Sequence, residues 1–149
     1  MLAQVLNSIF ERDLNKLKVE IELYKEEDKI WIVDKQISNS AGNLCLHLIG
    51  NLNTYIGKEL GGTNYIRNRD LEFSQKNIPR AELIKQVEST SVIVKNSLAK
   101  LNQDDLERNY PVMVFEKEMS TEYFLVHLCA HLTYHLGQIN YHRRLLDLD

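Results

Sequence analysis

Apolar residues recur at helical spacing in four stretches of the chain, with charged and polar residues between them. In the first, Leu2, Leu6, Ile9, Leu17, Ile21 and Tyr24 fall near one helix face, surrounded by Glu and Lys residues that favour helix. Glu26, Glu27 and Asp28 are poor company for a helix C-terminus, where the backbone dipole favours cations, so this helix is expected to stop near residue 28. The second stretch follows the N-capping types Ser38-Asn39-Ser40, runs from Leu44 to Ile56 and is closed by Gly61-Gly62. Residues 63–78 show no sustained period. Pro79 then stands where a first helical residue would, since its missing N–H costs nothing there, and Leu83, Val87, Val94, Leu98 and Leu101 form the third stripe. After a second long connection, about 102–119, the fourth helix opens at Ser120 or Thr121. Glu122 complements its dipole, and it runs to about Asp147 with Phe124, Leu128, Leu132, Ile139, Leu145 and Leu146 among its apolar positions.

Four long helices without a strand pattern predict an all-α four-helix bundle. Connections as long as 63–78 exceed those between neighbouring antiparallel helices. That segment can travel the length of a bundle, so helices two and three are free to run parallel, and an up-down-up-down path is not required. The size, 149 residues, fits one domain, 1–149, able to bury about two-thirds of its unfolded surface. Composition is ordinary for a globular chain, with 44% hydrophobic and 26% charged residues. A formal net charge of −3 gives no electrostatic footprint for duplex nucleic acid or an anionic membrane. No apolar run reaches membrane-span length, and the first residues form no signal-peptide core. With only two cysteines, Cys45 and Cys129, a reducing, cytoplasmic setting is expected.

The candidate chemistry lies in the five histidines. His127, His131 and His135 repeat every fourth residue on the fourth helix, each step drifting about 40° around one face. An i, i+4 pair can place two imidazole nitrogens about 2.0–2.1 Å from one metal ion. His47 lies in the second helix, with Asn43, Gly50, Asn51 and Thr54 at offsets −4, +3, +4 and +7 forming a polar or small strip on its face. Such a strip faces solvent or lines an internal site, and the apolar residues around the rest of this helix favour the internal site. Histidines within amphipathic helices also serve as hydrogen-bonded core residues, and spacing alone does not separate that reading from metal ligation.

A histidine in the second helix (His47-Leu-Ile-Gly-Asn-Leu52) followed far downstream by His131-Leu-Thr-Tyr-His135-Leu-Gly-Gln138 resembles the DinB-like family of small bacterial four-helix bundles. Tyr65-Ile-Arg-Asn-Arg-Asp-Leu-Glu-Phe73 is similar to the DUF1572 branch of that group. The likeness extends over nearly the whole length, although its specific motifs occupy about three short patches. It implies helices running up-down-down-up, with 63–78 as the crossover between the second and third. It implies metal ligation by His47, His131 and His135, a homodimer, and in some members metal-dependent transfer or isomerisation with a low-molecular-weight thiol. The commoner ending of the motif is HRGQ. Here Leu136 replaces the Arg, so any contact made by that Arg is missing.

Three neutral imidazoles would leave zinc, nickel or iron with an open position, the arrangement of a catalytic site acting on a small-molecule substrate. His127, Asn51 and Tyr134 are the pocket candidates. No HExxH or ExxH occurs, which weighs against a ferritin-like di-iron centre, and no carboxylate is marked by spacing as a general base. Gly50, one turn beyond His47, makes room for a ligand or for close helix packing. Gly137 reads as a packing position, Trp31 as a core cap, and His142 as a polar residue near the helix end. Arg67, Arg69 and Glu72 read as surface ion pairs or a dimer contact, with an anionic-substrate site as the sharper alternative. Both cysteines, two residues before a triad histidine, should point away from the metal face as buried thiols. Three functions remain in play: a metalloenzyme activating a thiol or water, a non-catalytic metal-binding or stress-response protein, and an interaction module whose histidines bind nothing.

Overall fold

The computed structural model describes residues 1–148, which are all-helical, with no strand among them. Helix α1 (Leu2–Glu22) leads through a 3-10 turn (Glu27–Trp31) to α2 (Ala41–Leu52), which continues into a π turn (Asn53–Lys58). A short α3 (Arg69–Ser74) precedes α4 (Arg80–Leu98), and a short α5 (Gln103–Glu107) precedes α6 (Thr121–Leu146).

The four long helices occupy the four stretches marked by apolar spacing, with boundaries set by local chemistry. α1 stops at Glu22, earlier than residue 28, and leaves the acidic run outside. Glu27 and Asp28 instead enter the first turn of the 3-10 segment, the end at which negative charge is favoured. Ser40 caps α2 by accepting from the Asn43 N–H, and Ser120 caps α6 by accepting from the Tyr123 N–H. Pro79 lies one residue outside α4 as its cap rather than inside its first turn, and its carbonyl accepts from the amides of Glu82 and Leu83. The two long connections are not featureless, since each contains one of the short helices. Asn102 and Asp105 close a reciprocal capping box around α5, and an isolated bridge pairs Asn109 with Ser120 before α6.

α1 packs against α4 and α6, while α2 packs against α6, α4 and α3. Phe10, Leu14 and Leu17 of α1 meet Leu48 and Leu52 of α2, Leu83 and Leu98 of α4, and Phe124, Leu128 and Leu132 of α6 in one apolar core. Each such side chain contributes about 1.5–3 kcal/mol by leaving water. All 12 residues of α2 are buried, so whatever this helix carries is held by the core on every side. Trp31 caps this core as expected, its ring occupying the space over Gly42 where a side chain would stand.

His142, a polar residue near the helix end as expected, proves to be buried, and Gly137 departs from its expected role. His142 is a core residue, 3% exposed, whose Nε2–H donates to the Ile32 carbonyl (2.8 Å) while Nδ1 accepts from the Tyr24 hydroxyl (2.7 Å). Gly137 is exposed and meets no neighbouring atom within 4 Å of where a Cβ would sit, so it is not a packing position. Cys45 and Cys129 are buried free thiols, and burial raises the pKa of both. No helix among the described residues is long and apolar enough to cross a membrane.

Candidate metal centre

Helices α2 and α6 pack together, and three of the five histidines meet at their contact. One nitrogen each of His47, His131 and His135 lies within 4.8 Å of the other two. The Nε2 atoms of His47 and His131 are 3.2 Å apart, and those of His135 and His131 are 3.1 Å apart. Donors placed tetrahedrally at about 2.0–2.1 Å from one ion would be about 3.3 Å apart, so this spacing already matches a coordination shell.

The outer nitrogens of two of these rings are held by the protein. His47 Nδ1–H donates to Glu72 Oε1 at 3.1 Å. The Glu72 carboxylate is in turn gripped by Arg67, Nε to Oε2 at 2.8 Å and Nη2 to Oε1 at 2.9 Å. His135 Nδ1–H donates to the Gln138 carbonyl oxygen at 2.7 Å. Both rings are thereby fixed as Nδ1–H tautomers, which leaves a lone pair on each Nε2. Those lone pairs face His131 Nε2, which in its neutral form has at most one proton to share between them. His131 Nδ1 is buried and has no protein hydrogen-bond partner. Electron-rich nitrogens converging with too few protons fit a divalent cation, and neutral imidazole is a donor that zinc, nickel and iron accept.

The surroundings of His131 and His135 favour their neutral forms. Burial, joined by the neighbouring His135, His47 and His127 and by Arg67, lowers the His131 pKa to about 4. Burial also lowers His135, against the opposing hydrogen bond to Gln138. For Glu72, burial by itself would raise the pKa, but the hydrogen bonds from Arg67 and His47 prevail and hold the carboxyl below its ordinary range. A ligand histidine backed by a buried carboxylate is a common support for metal sites, since it fixes the ring and raises its basicity.

Glu72 and Arg67 are thus not the surface ion pair or dimer contact that sequence spacing suggested. Glu72 is 6% exposed and belongs to the site. Arg69 stands apart, its guanidinium over the Phe73 ring. Gly50 makes room for close packing of a neighbouring helix rather than for a ligand, because a Cβ there would run into the Glu72 carboxylate of α3. Asn43 clasps the same segment, its side-chain amide donating to the Glu72 and Gln75 carbonyls at 2.9 and 2.8 Å. The polar strip on α2 is therefore internal and is spent largely on docking α3. What sequence reasoning missed is Glu72 as the partner of His47. The one available signal was the glycine one turn beyond that histidine.

The pocket candidates fall around the cluster without joining it. His127 is half-buried, stacked on Phe124 (5.8 Å between centroids, 8° between planes), edge-on to Phe115 and 6.3 Å from the His131 ring. Asn51 is buried one turn from His47, and its Oδ1 has no protein hydrogen-bond partner. Tyr134 is exposed, with its ring 5.3 Å from that of His135. Neither cysteine belongs to the cluster.

An all-helical fold carrying three convergent histidines defines a helical protein with a site compatible with metal binding. The chain belongs to the DUF1572 family, a protein family of unknown function whose model matches residues 4–149. No curated protein matches the chain significantly.

Proposed function

We propose that this single-domain protein is a DinB-like metalloenzyme. In this reading it is a four-helix bundle running up-down-down-up that holds one divalent ion on His47, His131 and His135. The observation that carries the reading is the set of three ring nitrogens at 3.1–3.2 Å steps, two of them with lone pairs fixed inward by Glu72 and Gln138. Three protein donors leave a position for substrate, whereas structural zinc sites are closed by four. A bound zinc, nickel or iron ion would supply Lewis acidity, lowering the pKa of a thiol or water at that position. The chain's own groups then position and shelter the reactants. Glu72 and Gln138 hold ring orientation, Phe73 and Phe115 lie against His47 and His127, and Asn51 offers an acceptor. The reaction class that suits this site is attack of a low-molecular-weight thiol, or of water, on a small electrophile. The setting we propose is a cytoplasmic homodimer.

One observation favours a second, non-catalytic reading. Glu72, the carboxylate in contact with the cluster, is committed to Arg67 and His47 and is not free to act as a general base. A metal-binding or stress-response protein needs no such base.

Metal content by mass spectrometry on untagged protein tests the centre. One ion per chain, lost in both His47→Ala and His131→Ala, is the expected result. Protein that is metal-free and refuses added zinc and nickel would remove both readings. Conjugation assays with bacillithiol and glutathione against small electrophiles then separate enzyme from binding protein.

A further inference from the structure

A cavity of about 550 Å³ opens beside the histidine cluster, between the 36–39 loop and α6. Its size falls within the roughly 300–1,000 Å³ range of small-molecule sites. Both helices that carry the cluster contribute to it. Leu44 comes from α2, one turn before His47, and His135 and Gln138 come from α6. The chemistry of the walls is distinctive. In a chain with 26% charged residues, no Asp, Glu, Lys or Arg lines this cavity. Other grooves differ: the one between α1 and α4 carries Glu11, Arg12, Lys18 and Glu88, and the one between α1 and α6 carries Lys16 and Glu20.

We infer that this cavity is a binding site for a neutral small molecule with an aromatic or apolar body, the substrate that reacts at the histidine centre. The assignment rests on the metal reading for its reaction but not for its binding. Leu44, Tyr134, Tyr141 and Leu145 supply apolar surface, and the last three, 65%, 62% and 59% exposed, are gathered around this one cavity rather than scattered. Gln36, Ser38, Asn39 and Gln138 provide uncharged hydrogen-bonding groups that orient a ligand. His142 also lines the cavity, but both its nitrogens are already bonded, so it offers a ligand only ring surface. In the metal-free chain a charged ligand would give up its hydration here without meeting a counter-charge, whereas a neutral one would not. Gln138 links the two functions, because the same amide that walls the cavity holds the His135 ring.

The test uses three matched probes on the full chain stripped of metal: 4-nitrobenzyl alcohol, 4-nitrobenzoate and 4-nitrobenzylammonium, followed by amide chemical-shift mapping. The neutral probe is expected to perturb residues 36–39 and 134–145 and to bind at least tenfold more tightly than either ion. Tyr141→Glu and Leu145→Lys, both at exposed positions, should weaken it at least tenfold while leaving zinc stoichiometry unchanged. His47→Ala, outside the cavity, should lose zinc and keep the probe. Neutral-probe binding in this cavity by wild-type protein that refuses zinc would support the pocket and sink the metal centre alone. Equal binding of all three probes, shifts elsewhere, or undiminished binding by both variants would overturn the assignment. So would a wild-type dimer by light scattering that binds no probe and becomes monomeric on Tyr141→Glu, since the face would then belong to a second copy of the chain.

Discussion

His131 and His142 occupy the same helix, three turns apart, and their surroundings are opposite. His142 has both nitrogens paired with protein groups, donating to a backbone carbonyl and accepting from a tyrosine hydroxyl. His131 has one nitrogen with no partner and another turned toward two more ring nitrogens. A buried histidine whose hydrogen bonds close within the chain is a structural crosslink and asks for nothing further. One whose nitrogens face other lone pairs is incomplete, and only a proton or a cation completes it. Burial disfavours the proton at both positions, so in the cluster the cation is the better completion.

The contrast can be broken most decisively at His131. His131→Ala should weaken zinc binding by at least ~100-fold, since one of three donors is lost, without lowering the thermal stability of the metal-free chain. Calorimetry with and without chelator reads both effects. His142→Ala should do the reverse, leaving zinc affinity unchanged while removing about 3 kcal/mol of stability through a cavity and two unpaired polar groups. Denaturant titration of the metal-free protein measures that loss, and unaltered stability would mean the crosslink is idle. Glu72→Gln is intermediate. It keeps an acceptor for His47 but loses the carboxylate charge, and zinc affinity should fall ~10–100-fold in a competition assay.

Acid sharpens the comparison further. Burial lowers the folded-state pKa of His142 below its ordinary value of 6.5, so the unfolded chain takes up the proton first. That contribution is fully present above the unfolded pKa and is lost as pH falls through the folded one, at most about 1.4 kcal/mol per pH unit for one proton. Melting of the metal-free chain should therefore shift downward from pH 7.5 to 5, and less steeply in His142→Gln. The smallest expected effect lies at Gly137, an exposed helical position with room for a methyl group. Gly137→Ala should stabilise by ~0.5–1 kcal/mol and leave zinc binding untouched.

The helices were legible because each of the long ones carries an apolar stripe, and serine caps mark where two of them begin, Ser40 for α2 and Ser120 for α6. α3 and α5 were not, being shorter than two turns and too brief to display a period. Within the site, the pairing of His131 with His135 follows from their spacing, whereas the arrival of His47 beside them came from family resemblance rather than from any local rule. Glu72 was read as an ion-pair partner of the nearby arginines, but its place beside His47 escaped. It lies 25 residues from His47 in a segment without periodicity, and only tertiary docking brings its carboxylate to the ring. The burial of His142 was illegible for a related reason: its partners, Tyr24 and Ile32, are 118 and 110 residues away.

The missing side chain at Gly50 has one more consequence. The slot it leaves is filled by a carboxylate that arrives on the connection between α2 and α4, so that connection is latched to α2 through a group that also steadies His47. An ion engaging the far side of that ring strengthens the latch, and by linkage the latch strengthens the ion's hold; occupancy at a hundred times Kd adds about 2.7 kcal/mol to the folded state. Backbone amides of α3, which touch no ligand nitrogen themselves, should then exchange their hydrogens more slowly in the loaded protein than in the stripped one. The α2–α4 connection serves in effect as a gauge, built outside the centre, of whether the centre is filled.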